Sequence, residues 1–364
     1  MVKIKSIIPN GTRDFTSEEC YKREYLCNKV KDVFNKWGYK EVCTPTIEYY
    51  ETFNYCTDTL KEEEMYKFFD NTGRILLLRP DMTIPVARMV STKLKDLNTP
   101  IKLWYKSNIF RVNESMTGRK NEYLDCGIEL IGVEDNKCDL EVLVTALEAL
   151  KALGGNEFKL EIGNVNILRA AMEEMNLDQS EKDIIAELIN KKSLTALKGY
   201  LDTLNIDNIH KEFLNTLPWI FGDYKMIDKC LNLSFSEEIN KNIIYLKNLY
   251  NALEKLGYEN YITVDMSMVP RVNYYSGIIF KGYIEGIGSR VLTGGRYDSL
   301  IENFGRKLPA IGFSIDIDTV LDKCNVKKES IAVDMLLNQE EQVDSLKKII
   351  CKIKEGESVN IVYK

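Results

Sequence analysis

The stretch that decides the fold reads Tyr274-Tyr275-Ser276-Gly277, then Thr293-Gly294-Gly295-Arg296-Tyr297-Asp298, then Pro309-Ala310-Ile311-Gly312-Phe313. Apolar runs at 278–283, 290–293 and 308–313 accompany these motifs, and each has the length and composition of a β-strand. A helix is predicted after the last run, from Asp316. Long adjacent strands with helices set apart from them predict an α+β architecture built on an antiparallel sheet that helices flank.

Two longer strands upstream belong to the same predicted sheet. They cover 101–111 and 122–133, and the polar loop between them contains Gly118, as a hairpin connection does. A helix is predicted at 139–153, because its leucine and valine residues recur on one side and two glycines end it.

The composition changes along the chain and indicates where domains begin and end. From 165 to 256, Lys, Glu, Asn and Leu dominate with helical periodicity, which predicts an inserted all-helical subdomain. Residues 331–364 have a strand-helix-strand pattern. The sequence therefore predicts a discontinuous core domain (1–164 and 257–325), a helical insertion (165–256) and a short C-terminal α/β segment (326–364).

The overall composition excludes several classes of function. The chain has 364 residues, of which 45% are hydrophobic and 29% charged, as in a soluble globular protein. A net charge of -6 argues against a protein that grips a long stretch of tRNA. The nine cysteines form no CxxC pair and His210 is the only histidine, so neither a zinc site nor a histidine-based triad is expected. With no signal peptide and no membrane-length apolar run, we expect a cytoplasmic protein.

Several ordered motifs between residues 5 and 325 resemble class II aminoacyl-tRNA synthetases, in the histidyl form. Phe110-Arg111, a loop with Gly118-Arg119, and Gly127-Ile128-Glu129 resemble the second class II motif. The segment 38–45 resembles the first motif, which builds the dimer interface in that family. The tract 274–319 resembles the end of the catalytic domain. Further matches are Pro9-Asn10-Gly11-Thr12-Arg13-Asp14 and Leu78-Arg79-Pro80-Asp81-Met82-Thr83.

The resemblance implies an amino-acid pocket that binds histidine. Its expected ligand-binding residues are Asp81, Thr83, Arg111, Asp125, Glu129 and Tyr275. Asp81 stands where the synthetases have Glu, and Asp125 stands where they have Gln, but both can still accept hydrogen bonds from an ammonium group. Each carboxylate alone would be read equally well as a solvated or ion-paired strand residue, so the expectation depends on their convergence. No metal or cofactor is expected.

Three departures from the synthetase pattern all fall on the nucleotide side. The glutamate of Phe-Arg-x-Glu is Asn113, with Glu114 one position later. The arginine that promotes adenylate formation falls on Pro270, next to Arg271, and the arginine that grips ATP falls on Thr319. Threonine cannot neutralise a bound triphosphate as arginine does. No catalytic residue is therefore expected.

This combination of a kept pocket and a lost nucleotide clamp resembles the synthetase-like regulatory subunits of ATP phosphoribosyltransferase. The resemblance implies a non-catalytic subunit for the first step of histidine biosynthesis, with histidine as feedback effector. It implies a short-form catalytic subunit as partner and a homodimer through the synthetase-like core, without tRNA or membrane. Two alternatives stay open: an active histidyl-tRNA synthetase, and a stand-alone amino-acid-sensing paralogue.

Overall fold

The computed structural model describes residues 8–54, 62–113, 120–270, 274–326, 333–337 and 342–363. It divides into two compact units. The larger comprises Met1–Asp14 and Arg23–Cys324, and the smaller comprises Phe15–Lys22 and Asn325–Lys364. None of the described helices is long and apolar enough to cross a membrane.

The strands are short except for two of ten residues each. In chain order they are β1 (Lys40–Glu41), β2 (Ile47–Tyr49), β3 (Lys67–Phe69), β4 (Ile75–Leu78), β5 (Ile101–Phe110), β6 (Glu122–Ile131), β7 (Phe158–Asn164), β8 (Phe221–Gly222), β9 (Ile262–Asp265), β10 (Ile278–Ile284), β11 (Leu292–Arg296), β12 (Ala310–Asp316), β13 (Val333–Leu337) and β14 (Val359–Tyr363).

The helices fall into a flanking set and an inserted set. They are α1 (Ser17–Lys36), α2 (Tyr50–Asn54), α3 (Thr83–Ser91), α4 (Asp139–Gly154), α5 (Val165–Glu174), α6 (Gln179–Asn190), α7 (Leu194–Thr203), α8 (Asn208–Thr216), α9 (Lys225–Leu233), α10 (Glu237–Lys255), α11 (Ile317–Val320) and α12 (Gln342–Lys354). Short 3-10 turns join some of these elements.

Nine strands form the central sheet in the order β1-β5-β6-β12-β11-β10-β7-β9-β8. The pairs from β5 to β7 are antiparallel, as predicted, whereas β1–β5 and β7–β9 are parallel. The predicted hairpin is the pair β5–β6, which runs in register from Ile101 opposite Ile131 to Phe110 opposite Glu122.

One face of this sheet is buried under helices and the other face carries the cleft. On the buried face, Phe313 of β12 packs against Phe34 of α1 and against Phe280 of β10, with ring centroids 5.8 and 6.2 Å apart. Side chains alternate along a strand, so Glu129 and Gly312, which lie next to Ile128 and Phe313, belong to the opposite face.

The insertion differs from the predicted all-helical subdomain by one short strand. Its helices α5 to α10 are interrupted by β8, in which Phe221 pairs with Asp265 of β9 at the edge of the sheet. The backbone N–H of Met266 also donates a hydrogen bond to the Ile220 carbonyl at 3.0 Å. Two residues are too few to produce an alternating pattern, so the sequence carried no strand signal there.

A second sheet, with the order β2-β4-β3, includes two strands that the sequence did not indicate. Tyr49 and Phe68 both lie opposite Leu76, so they share one face with Ile47. This face is apolar and open to solvent: Ile47 is 47% exposed, Tyr49 40% and Phe68 36%. We call Ile47, Tyr49, Phe68, Leu76 and Leu78 the apolar sheet face.

In the smaller unit, β13 and β14 pair in parallel, and α12 lies between them in sequence. This agrees with the predicted strand-helix-strand order. A capping box begins α1: the Thr16 N–H donates to Glu19 Oε2 at 2.8 Å, and the Glu19 N–H donates to Thr16 Oγ1 at 3.3 Å. The sequence Thr-Ser-Glu-Glu is typical of this arrangement.

Candidate functional site

A cleft of about 1230 Å³ lies over the open face of the central sheet, and all six predicted pocket residues line it. Strand β6 contributes Asp125 and Glu129, which share a face because they are four residues apart. The segment between β4 and α3 contributes Asp81, and α3 begins at Thr83. Arg111 follows directly after β5, and Tyr275 precedes β10.

Glu129 lies at the buried floor of the cleft and is 1% exposed. Its Oε1 accepts a hydrogen bond from Thr83 Oγ1 at 3.0 Å, and its Oε2 accepts one from the Tyr297 hydroxyl. Burial raises the pKa of Glu129 to about 8, although both hydroxyl groups favour the ionised form. The carboxyl group is therefore held in a fixed position and can change protonation near neutral pH.

Asp81 presents an unpartnered oxygen to the cleft. Its Oδ1 accepts a hydrogen bond from the Ile84 N–H at 3.2 Å, at the start of α3. Its Oδ2 is buried and accepts no hydrogen bond from any residue that the structure describes. Burial raises the pKa of Asp81, and the neighbouring Arg111 partly opposes that shift. Leaving a buried acceptor unpaired is unfavourable, so this oxygen suits a ligand that brings a donor.

Arg111 and Asp125 lie near each other in the same cleft. The Nε of Arg111 donates to the Pro80 carbonyl at 2.6 Å, which fixes the guanidinium. Burial disfavours its charged form, but Tyr123, Asp81 and Asp125 outweigh burial and raise the pKa of Arg111. Asp125 lies opposite Asp316 in the β6–β12 pair. Burial and the Asp316 charge raise the pKa of Asp125 to about 7.

Aromatic rings form one wall of the cleft. The rings of Tyr274 and Tyr275 lie 5.1 Å apart, and those of Tyr274 and Tyr297 lie 5.8 Å apart in an edge-on arrangement. A Cβ on Gly295 would come within 2.6 Å of the Tyr275 ring. The Gly294-Gly295 pair lies inside β11, where Gly295 makes room for the Tyr275 ring, so the pair is not a phosphate-binding turn.

The three positions that depart from the synthetase pattern all line the cleft. The Asn113 amide donates to the Lys120 carbonyl at 2.8 Å. Thr319 donates from its Oγ1 to Asp316 Oδ2 at 2.6 Å and from its N–H to Asp316 Oδ1 at 3.0 Å, which caps α11. The Thr319 hydroxyl is therefore bonded to Asp316, the residue that caps α11. Residues 114–119 and 271–273, which include Glu114, Gly118, Arg119 and Arg271, lie outside the described residues.

The expected pocket residues did not include Tyr297, which lines the cleft and donates to Glu129, and the sequence indicated no partner for the buried Arg296 beside it. Arg296 is buried and its Nη1 lies 2.6 Å from Asp139 Oδ1, while its Nε lies 3.0 Å from Asp298 Oδ1. It also donates to the Val133 carbonyl at 3.3 Å. The available signal was a charged residue directly after the two glycines that follow the predicted strand 290–293. Among the described residues, no group of three or more His, Cys, Asp or Glu side chains is placed to hold a metal ion.

Comparisons with known proteins agree on one group of relatives. Residues 11–320 match the family described as histidyl-tRNA synthetase. An ATP phosphoribosyltransferase regulatory subunit of Bacillus cereus (strain ATCC 10987 / NRS 248) is 37% identical over 99% of this chain and 87% of its own length. A protein of the same name from Clostridium botulinum (strain 657 / Type Ba4) is 38% identical over 95% of this chain and 86% of its own length.

Solved structures show the same fold. The crystal structure of an ATP phosphoribosyltransferase regulatory subunit/histidyl-tRNA synthetase from Bacillus halodurans C is 30% identical, with a TM-score of 0.88, and the match covers 99% of this chain and 93% of that chain. A histidyl-tRNA synthetase from Nostoc sp. PCC 7120 is 21% identical, with a TM-score of 0.80 over 100% of this chain and 87% of that one. The latter likeness concerns the fold alone.

Proposed function

This chain belongs to the histidyl-tRNA synthetase-like family, among the ATP phosphoribosyltransferase regulatory subunits, and from that premise we propose that it regulates such an enzyme without catalysing a reaction itself. The pathway is histidine biosynthesis. The partner is a short-form catalytic subunit, and the effector is free histidine bound in the cleft. Feedback control then requires only that histidine binds one state of the assembly more tightly than another.

The observation that carries the proposal is the buried, unpartnered Oδ2 of Asp81 at the acidic end of the cleft. An α-ammonium group placed there would donate to this oxygen and to Asp125. The guanidinium of Arg111 suits the ligand carboxylate, in a charge-assisted pair. Glu129 and Tyr275 remain for the imidazole ring. These five residues thus supply at least one partner for each polar group of the amino acid, and Thr83 holds Glu129 in place.

The nucleotide side of the cleft supports a regulatory function over an adenylating one. Thr319 stands at the position of the arginine that grips ATP in the synthetases, and its hydroxyl is already bonded to Asp316. Pro270 carries no cationic side chain, and Asn113 is bonded to the local backbone. None of these three positions therefore supplies a cationic side chain that could neutralise a bound triphosphate.

We propose that two copies associate through the apolar sheet face, which lies close in sequence to the segment resembling the first synthetase motif. Ile47, Tyr49 and Phe68 are all more than a third exposed. Partly exposed apolar side chains that gather on one face are typical of a protein–protein contact.

The test combines the purified chain with a short-form phosphoribosyltransferase and measures turnover with and without histidine. We expect turnover to rise on mixing and to fall again when histidine is added. Calorimetry then compares the histidine affinity of the wild type with that of Asp81→Asn, which keeps the acceptor for Ile84 but removes the charge. We expect affinity to fall by about tenfold or more, as for a lost charge-assisted hydrogen bond.

Asp228→Asn provides the matched control, because Asp228 lies on α9 with its side chain 51% exposed and outside the cleft lining. It should bind histidine as the wild type does. Equal affinity in Asp81→Asn and the wild type would reject the pocket assignment. Robust ATP–pyrophosphate exchange with histidine would favour the synthetase instead, and histidine binding without any complex would favour the stand-alone sensor.

A further inference from the structure

A row of cleft-facing residues crosses the sheet beyond the amino-acid end. Lys281 of β10 lies opposite Thr293 of β11, and Thr293 lies opposite Ser314 of β12. Ser314 in turn lies opposite Gly127, which is two residues from Glu129 on β6. Because side chains alternate, this row shares the cleft face with Glu129. Lys281, Thr293 and Ser314 all line the cleft.

This end of the cleft is too far from Glu129 for one amino acid to occupy both. Strands β6 and β10 are separated by β12 and β11, which places them about 14 Å apart at the usual spacing between strands. The cleft volume of about 1230 Å³ also exceeds the roughly 300–1,000 Å³ of a typical small-molecule site. A bound histidine therefore leaves the β10 end open to a second ligand.

The β10 end carries more cationic than anionic groups. The positive charges of Arg290 and Lys192 lie close enough to destabilise the charged form of Lys281. The negative charges of Asp265 and Glu161 lie close enough to stabilise it. Burial, followed by the charge of Arg290, lowers the pKa of Lys281. Three cations therefore face two carboxylates in this part of the structure.

Of these two carboxylates, Asp265 already has other partners. Asp265 Oδ1 accepts from the Ser267 N–H at 2.9 Å and from Ser267 Oγ at 2.7 Å, and its Oδ2 lies 3.6 Å from Lys192 Nζ. Burial raises the pKa of Glu161, and the neighbouring Tyr283 hydroxyl partly opposes that shift. Within the described ranges, the ammonium of the half-buried Lys281 makes no hydrogen bond and no ion pair within 4.0 Å.

We propose that Lys281, Arg290 and the Thr293 hydroxyl form a subsite for the phosphate group of a second small ligand. A half-buried ammonium, a guanidinium and a hydroxyl donor suit the several acceptor oxygens and the double charge of a phosphate. The subsite lies on β10, on β11 and in the loop between them, whereas the synthetase nucleotide clamp falls on Thr319 after β12. It goes beyond the proposed function, because it does not require the amino-acid end to be occupied.

The test is calorimetry with inorganic pyrophosphate at low ionic strength, on the wild type, Lys281→Gln and Lys281→Arg. We expect pyrophosphate to bind the wild type, and the affinity to fall about tenfold in Lys281→Gln, as when a charge-assisted hydrogen bond is lost. Lys281→Arg should keep most of the affinity. Lys241→Gln removes the same charge from a side chain that is 77% exposed on α10 and should change nothing.

Absence of pyrophosphate binding to the wild type at millimolar concentration, or equal affinity in Lys281→Gln, would overturn the subsite. Thermal unfolding identifies a variant that fails to fold. If Lys281→Gln fails to fold, Thr293→Val is tested in its place. An unchanged pyrophosphate affinity in Thr293→Val would also overturn the proposal.

A histidine titration of the same samples separates this inference from the proposed function. Histidine affinity should be the same in Lys281→Gln and the wild type, because Asp125 and Glu129 lie on β6, three strands from β10. Pyrophosphate binding without histidine binding would sink the effector role and leave the subsite standing. Histidine binding without pyrophosphate binding would overturn the subsite and leave the effector role standing.

Discussion

Gly312 lies directly opposite Glu129 in the β6–β12 pair, and a Cβ on Gly312 would overlap the Glu129 carboxylate. The same Cβ would also collide with the Ile128 carbonyl oxygen, which is backbone and cannot swing away. A glycine on β12 thus provides the space in which the central acid of the cleft lies between the hydroxyls of Thr83 and Tyr297.

The first prediction follows from that overlap. Gly312→Ala should displace the Glu129 carboxyl from its two hydroxyl donors, and histidine affinity should fall by at least about tenfold. The variant should also unfold at a lower temperature, because a methyl group is forced into a filled space. Calorimetry and thermal unfolding measure the two effects.

Gly199→Ala is the control: nothing lies within 4 Å of its Cβ position in α7, so it should bind histidine normally and be slightly more stable. Normal binding in Gly312→Ala would contradict the packing argument.

The second prediction concerns stability against pH. The pKa of Glu129 is about 8 in the folded chain and about 4.3 in an unfolded one. The stability that this shift contributes is therefore complete below about pH 4.3 and is lost as the pH rises through 8. Wild type should lose stability relative to Glu129→Gln between those pH values, as measured by urea unfolding at several pH values.

The control for this experiment is Glu187→Gln, which alters a side chain that is 61% exposed on α6. Its unfolding free energy should follow that of the wild type at every pH. A constant difference between the wild type and Glu129→Gln across the range would show that burial does not perturb this carboxyl.

The third prediction concerns the buried ion pair between Arg296 and Asp139, whose side chains are 4% and 0% exposed. Arg296→Ala should lower the free energy of unfolding by roughly 3–5 kcal/mol, because it leaves a carboxylate buried without its partner. Lys191→Ala is the control, since it breaks an ion pair whose side chains are 65% and 61% exposed and should cost about 1 kcal/mol or less. Denaturant unfolding measures the free energy of unfolding of both variants. A similar decrease in the two would contradict the prediction.

The fourth prediction tests the apolar sheet face. Ile47→Glu should shift the chain from dimer to monomer in sedimentation velocity, because association would bury an unpaired charge. Ile209→Glu places the same charge on α8, at a side chain that is 50% exposed outside this face, and should leave the dimer intact. A monomeric wild type, or a dimer that tolerates Ile47→Glu, would exclude this surface as the contact.

The sequence by itself determined the features that depend on local order. The hairpin of β5 and β6, the helix α4 and the strands around Tyr275 and Gly312 follow from apolar periodicity and from glycine positions. The motif order identified six residues, from Asp81 to Tyr275, and all six line one cleft. Periodicity is a property of neighbouring residues, so it can be read without the fold.

Only the tertiary structure decided which groups are buried together and what their charges do. The partners of Glu129 are Thr83 and Tyr297, which are 46 and 168 residues away in the chain. Burial by such distant segments raises the pKa of Glu129, and the same kind of contact pairs Arg296 with Asp139. Desolvation and electrostatic energy depend on distances in space, which chain order does not give. The short strands β2, β3 and β8 appeared only in the folded structure, because hydrogen bonds to a longer partner strand define them and two or three residues carry too little local pattern to predict them.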